Sequence, residues 1–316
     1  MNQIIAICVL ISFCVSFTLL FLLVTVSEEI TLSKKIENFY SQNLETDKKN
    51  LFLIGSSYVG TLNTTLINEK ISLLNKNYEI YNLAITSDHP EKRIQQIEEI
   101  ISMKPEMVIY GVSFYAFQNE IKKNSNILPE IPGFSSLTES EIESFNPKLI
   151  TLQSFRKIFV ENGIWPGSDS RYFLPNTPFF SFGSSGSKIL NEEQLARDAL
   201  GKSDTIQNVR VDHDSNPRLL SFKQMIKQLN DNEIKVLIFV PPLHENYIDL
   251  LPDNTKNSFK IILNEISDEF DIEIIDLLHN YKELDVWRDL THISYNKKSM
   301  IYSEDIVNVI VEEIKK

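Results

Sequence analysis

Apolar and polar positions follow two rhythms along this chain. From Leu51 to Ile54 four apolar residues run together and stop at Gly55, as in a buried strand, and from Tyr58 to Leu74 apolar residues recur at helical spacing. The pair then repeats. Glu79–Leu83 predicts a second strand, His89–Met103 an amphipathic helix opened by Pro90 in its first turn, and Met107–Tyr110 a third strand closed by Gly111. After a long interruption come a helix over Pro217–Asn230, a strand over Lys235–Val240 stopped by Pro241 and Pro242, and a helix over Thr255–Phe270. A strand over Ile272–Ile275 and a closing helix over Ser294–Ile314 complete the series. Parallel strands need crossover connections, so this alternation predicts a mostly parallel five-stranded sheet with helices on both faces, a three-layer α/β sandwich of flavodoxin-like type. In such sheets ligands bind outside the carboxyl ends of the strands. The turns after Ile54, Leu83, Tyr110, Val240 and Ile275 are therefore where function is expected.

Two segments break the rhythm. Ile4–Val26 is uncharged and predominantly apolar, and at 1.5 Å per residue it reaches roughly 34 Å, enough to cross the hydrocarbon core. It predicts an N-terminal transmembrane helix over 4–26 and a stalk or linker over 27–50 that joins it to a body over 51–316. A cleaved signal peptide is the rival; it calls for a charged start, a shorter apolar run and a small-residue cleavage site, whereas this segment is long and ends in Thr25-Val26-Ser27. The second break, an insertion over 114–214, holds Pro129, Pro132, Pro147, Pro166, Pro175 and Pro178 and the tract Phe179–Gly186. Its apolar content predicts packing over the sheet edge as a lid or wall, with a helix over Glu192–Leu200.

Composition sharpens this division. Of 316 residues, 43 are Asp or Glu and 31 Lys or Arg, a net charge of -12, and the first charged side chain is Glu28. An uncharged leader thus precedes an acidic body. A 42% hydrophobic fraction is enough for a packed core, which excludes a disordered chain. No basic run is available to neutralise phosphates, so nucleic acid is excluded as a partner. Both cysteines, Cys8 and Cys14, lie in the leader, so no disulfide staples the body.

The chemistry-bearing residues fall at the predicted strand ends. Gly55-Ser56-Ser57 follows the first strand, where a serine exposes its hydroxyl and sits at a helix N-terminus, a place that favours negative charge. A helix N-cap or tight turn would use the same residues. Gly183-Ser184-Ser185-Gly186 repeats the composition without a strand before it. Near the C-terminus Asp289-Leu290-Thr291-His292 places a carboxylate three residues before an imidazole. Together they supply a triad: Ser57 as nucleophile, His292 as its general base, and Asp289 holding the other ring nitrogen. His213, in Asp212-His213-Asp214, lacks the spacing of a metal site, because three consecutive residues cannot all face one ion. His89 is expected to open a helix, and Asn63-Thr64-Thr65 is a glycosylation sequon by pattern.

These motifs resemble those of the SGNH/GDSL hydrolase superfamily, over Leu51–Met103, Met107–Ser113 and Pro217 to the C-terminus. The resemblance implies this α/β sandwich and an activity of ester hydrolysis or acyl transfer without a cofactor. Gly55-Ser56-Ser57 matches the family's Gly-Asp-Ser with Ser56 in the Asp place. The Gly-Ser-Ser form looks like the membrane-associated branch that acts on cell-envelope polymers, including alginate O-acetylation proteins and the D-alanyl transfer protein of lipoteichoic acid. The family's oxyanion-hole glycine falls at Ala84 and its Gly-x-Asn-Asp block at Gly111-Val112-Ser113-Phe114, where the asparagine is missing. The resemblance implies an oxyanion hole of Ser57, Ala84 and Ser113, and Ser56 and Asn82 are expected along the cleft; His244, after Pro241-Pro242 at a strand end, is expected either to line that cleft or to sit in a surface loop. It also implies acylated glycan or a small ester as substrate, an extracytoplasmic body held to the bilayer by 4–26, and a membrane acyltransferase as companion. The alternative is an inactive SGNH-fold module that binds glycan or protein.

Overall fold

The computed structural model describes residues 12–13, 15–18, 34–42, 44, 47–75, 77–119, 178–179 and 188–315. Two compact units divide the chain, one of 1–35 with 121–168 and one of 36–120 with 169–316. In the first, the described residues 12–13, 15–18 and 34–35 are helical. Among the described residues no helix is long and apolar enough to cross a membrane, and most of the predicted span 4–26 lies outside them, as do Gly183–Gly186.

The second unit holds the sheet. Its elements run β1 (Lys49–Gly55), α1 (Ser57–Gly60), α2 (Thr64–Leu74), β2 (Tyr78–Asn82), α3 (Pro90–Arg93), α4 (Ile97–Ser102), β3 (Met107–Gly111), α5 (Glu192–Gln207) and α6 (Pro217–Asp231). They continue with β4 (Lys235–Val240), α7 (Glu245–Ile248), α8 (Asp253–Phe270), β5 (Ile274–Asp276), β6 (Trp287–Asp289), β7 (His292–Ile293) and α9 (Met300–Lys315). Five strands pair in the order β2-β1-β3-β4-β5, every pair parallel, as the alternation of elements predicts. In this order the chain leaves β1 first to one side and then to the other, so β1 and β3 flank the switch point, where an α/β sheet opens a crevice. Helix α9 packs on α2, while α6 packs on α3, α4 and α8. Right-handed crossovers place these two groups on opposite faces. All of Leu51–Ile54 and Met107–Tyr110 is buried, since both strands are covered on both faces.

Local hydrogen bonds shift several predicted boundaries. The helix expected over Tyr58–Leu74 breaks at Thr61–Asn63, where Asn63 Oδ1 accepts from Leu66 N–H and caps α2. That expected over His89–Met103 is interrupted by a 3-10 turn at Ile94–Gln96, just after Arg93 folds its guanidinium back onto Asp88 and the Leu83 carbonyl. The closing helix begins at Met300 rather than Ser294, because Ser294 N–H is bonded to the Val286 carbonyl and Asn296 caps a 3-10 turn. The stalk is not all linker. Residues 36–40 are helical, and Phe39 is buried against Phe52, Tyr81 and Phe179. The start of the predicted insertion belongs to the core: Phe114 packs on Phe259, and Phe117 on Phe222 and Phe259. Its last helix runs on to Gln207, opened by a capping box of Asn191 and Gln194.

Candidate active site

Ser57 stands at the switch point as the first residue of α1. The turn that delivers it requires Gly55, which passes at φ 139° with the Gly111 carbonyl close beside it. Ser56 precedes the helix, and its carbonyl accepts from the Val59 and Gly60 amides. The Ser57 N–H lies in the first turn of α1, where amides have no intrahelical acceptor.

His292 and Asp289 come from a feature too short for the hydrophobic pattern to reveal, the antiparallel hairpin of β6 and β7, in which the two residues are register partners beside a bulge. Ser57 Oγ lies 2.6 Å from His292 Nε2. On the other side of the ring, His292 Nδ1 lies 2.8 Å from Asp289 Oδ1 and 3.0 Å from Oδ2. The ionised carboxylate only accepts, which puts the ring proton on Nδ1 and leaves Nε2 to accept from the serine hydroxyl. Burial works against the Asp289 charge. The hydrogen bond and charge of His292, the Thr291 N–H and Arg288 outweigh it and hold the carboxyl well below the usual carboxylate range. The three predicted residues, 235 positions apart at their widest, meet as a hydrogen-bonded relay.

The remaining predicted site residues have structural partners. Ala84 N–H donates to Asn82 Oδ1 at 3.1 Å, and Asn82 Nδ2 donates to the Val59 carbonyl at 2.9 Å. Both residues are fully buried. The amide assigned to the oxyanion is thus spent within its own loop. The exposed crest of that loop is Thr86, followed by Ser87 at φ 55°, a conformation unusual for a residue other than glycine. Ser113 Oγ donates to the Tyr58 hydroxyl at 2.8 Å. His244 is only 3% exposed. Its N–H donates to the Leu290 carbonyl, its Nδ1 accepts from Asn246 N–H, and its ring meets Trp287 edge-on at 5.2 Å. It braces the hairpin and does not line an open cleft. His213 bonds Asp214 and Glu265, and Glu265 in turn bonds Lys223, an ion network outside the triad. His89 precedes α3 without a side-chain cap, and its buried Nδ1 has no hydrogen-bond partner among the described residues.

Nothing in the sequence sets apart Tyr58, whose hydroxyl meets Ser113, because an aromatic in an apolar helix face carries no pattern of its own.

No protein-family model matches the chain, and no curated protein matches it. Among solved structures the chain is similar to an acetyl xylan esterase, AlAXEase, at 13% identity and a TM-score of 0.44, covering 84% of this chain and 99% of that one. It is also similar to a lipolytic protein of the G-D-S-L family from Desulfitobacterium hafniense DCB-2, at 11% identity and a TM-score of 0.41, covering 83% and 99%. An extracellular lipase from Streptomyces rimosus is matched at 7% identity and a TM-score of 0.38, over 82% and 99%.

Proposed function

We propose that this chain is a serine esterase or O-acyltransferase of the SGNH type, and the observation that carries the proposal is the relay Asp289–His292–Ser57 at the switch point of the sheet. Ser57 Oγ attacks an acyl carbonyl as His292 Nε2 takes its proton. Asp289 keeps the ring in the productive tautomer and stabilises the imidazolium. The carbonyl oxygen gains a negative charge that the Ser57 N–H meets at the positive end of α1. The Ala84 N–H, which the resemblance assigns to the same role, is spent on Asn82. Collapse of the tetrahedral intermediate expels the alcohol, which takes the proton from His292. Water, or the hydroxyl of a second molecule, then receives the acyl group by the same steps in reverse. No step calls for a cofactor.

The uncharged leader 4–26 supports a single-pass anchor, and the Gly-Ser-Ser motif supports the branch that acts on O-acylated envelope glycans outside the cytoplasm, beside a membrane acyltransferase. Acetyl is the acyl group this reading favours. The test is direct. A fluorophosphonate probe on the full-length chain in detergent should label the wild type and not Ser57→Ala, and the wild type should turn over p-nitrophenyl acetate. A folded wild type that is neither labelled nor active refutes the enzyme and leaves a binding module.

A further inference from the structure

The proposed reaction leaves one place without a side-chain donor. Ser113 occupies the end of β3, where the resemblance calls for an asparagine, and its own hydroxyl hydrogen is committed to Tyr58 at 2.8 Å. Two hydroxyls in a mutual bond hold two hydrogens and spend one. With Ser113 donating, the phenolic hydrogen of Tyr58 has no acceptor among the described residues, although the side chain is only 6% exposed. The bond to Ser113 uses one hydrogen-bonding site of the Tyr58 hydroxyl and leaves its hydrogen open to a further acceptor.

The position of this hydroxyl fits the chemistry. Gly55 and Gly111 are register partners in neighbouring strands, Ser57 lies two residues beyond the first and Ser113 two beyond the second. The two serines therefore leave the same edge of strands about 4.8 Å apart. Tyr58 follows the nucleophile in α1 and reaches across to Ser113. Its backbone is fixed from two sides, since the Tyr58 carbonyl accepts from Thr61 Oγ1 at 2.8 Å and from the Tyr302 hydroxyl at 3.4 Å.

We propose that the Tyr58 hydroxyl, propped by Ser113, is the side-chain hydrogen-bond donor to the oxyanion, with Ser113 as its positioning residue. The proposal rests on the serine-hydrolase reading above. When Ser57 Oγ forms its bond to the acyl carbon, the carbonyl π pair moves to oxygen and the serine proton moves to His292. Tyr58 donates a hydrogen bond to that oxygen and keeps its proton. Burial pushes the phenol's pKa well up and so keeps it protonated at every working pH.

The experiment compares full-length wild type, Tyr58→Phe, Ser113→Ala and the double variant in detergent, with p-nitrophenyl acetate and fluorophosphonate labelling. Tyr58→Phe should lower kcat by about 10²-fold, the scale of one lost oxyanion donor, with KM within about twofold. Ser113→Ala should lower kcat in the same direction, and the double variant should be no slower than Tyr58→Phe, because the pair acts as one donor. A Tyr58→Phe enzyme at full kcat overturns the proposal, and so do two losses that multiply in the double variant. Should Tyr58→Phe fail to fold, an unchanged kcat in Ser113→Ala overturns it equally. A wild type without labelling or turnover sinks the enzyme and this donor together. A labelled wild type with an unimpaired Tyr58→Phe sinks the donor alone.

Discussion

Gly55 and Gly111 face each other across β1 and β3 so closely that a methyl group on Gly55 would lie 2.8 Å from the Gly111 carbonyl oxygen and 2.7 Å from Val59 Cγ2. Gly55 also passes at φ 139°, which side chains oppose. Gly55→Ala therefore combines overpacking with backbone strain, and a loss of about 2–5 kcal/mol is expected in urea unfolding. The remaining folded protein should lose more activity than the folded fraction explains, because the strain displaces Ser57.

Asp289→Asn should leave the fold intact and lower kcat by roughly 10⁴-fold, since an amide in that place favours the wrong imidazole tautomer. Steady-state kinetics on a soluble acetyl ester reads this. Ser57→Ala and His292→Ala should each abolish nearly all turnover, and combining them should cost little more, as expected of groups that act as a unit.

The pair Asp88 and Arg93 is buried, with side chains 1% and 0% exposed, and Arg93 Nη2 also donates to the Leu83 carbonyl. Removing one partner strands the other's charge in the interior. Arg93→Met and Asp88→Leu are each expected to cost on the order of 3–5 kcal/mol, while the double substitution should recover much of that loss. Thermal unfolding of the three variants checks it. Both ends of the loop carrying Ala84 and Ser87 depend on this pair, so activity should fall with it.

Acid should weaken the fold through His89. Burial, reinforced by the charges of Arg218 and Lys92, pushes its pKa down to about 4, although the Glu91 carboxylate stands 3.9 Å from Nδ1. In the unfolded chain the same imidazole takes its proton near pH 6.5. The unfolded state thus binds the proton first as pH falls, and stability declines between about pH 6.5 and 4. Across that window His89→Gln should lose roughly 2 kcal/mol less than the wild type in urea titrations. Equal losses would remove His89 as the cause.

The strands and the serine turn are legible because an apolar run bounded by Gly55 or Gly111 has one economical interpretation in a parallel sheet. Ser57, His292 and Asp289 are legible because their places in the chain put them at one edge of that sheet. Other features depend on who bonds whom. Nothing in Asn82-Leu83-Ala84 announces that the Asn82 side chain consumes the Ala84 amide, and nothing at Ser113 points to Tyr58. His244 and Arg93 carry side chains usual at surfaces, yet both are buried through partners distant in sequence or folded back on the chain. The start of α5 at Glu192 is marked by the capping box of Asn191 and Gln194, whereas its run past Leu200 to Gln207 carries no stop or start signal in the sequence.

The hairpin of β6 and β7 stands outside the five-stranded sheet and has three and two residues in its strands. It is held to the rest of the unit by single backbone bonds from Leu190 N–H to the Trp287 carbonyl and from His244 N–H to the Leu290 carbonyl, and by the buried Trp287 indole, whose N–H donates to the Tyr281 carbonyl. So small an element can open while the sheet persists, at a free energy below that of global unfolding. Ser57 would then keep its place on the rigid layer while His292 and Asp289 depart together. Catalytic competence and foldedness are thereby two separate thresholds in this molecule, and in rising urea the first should be crossed before the second.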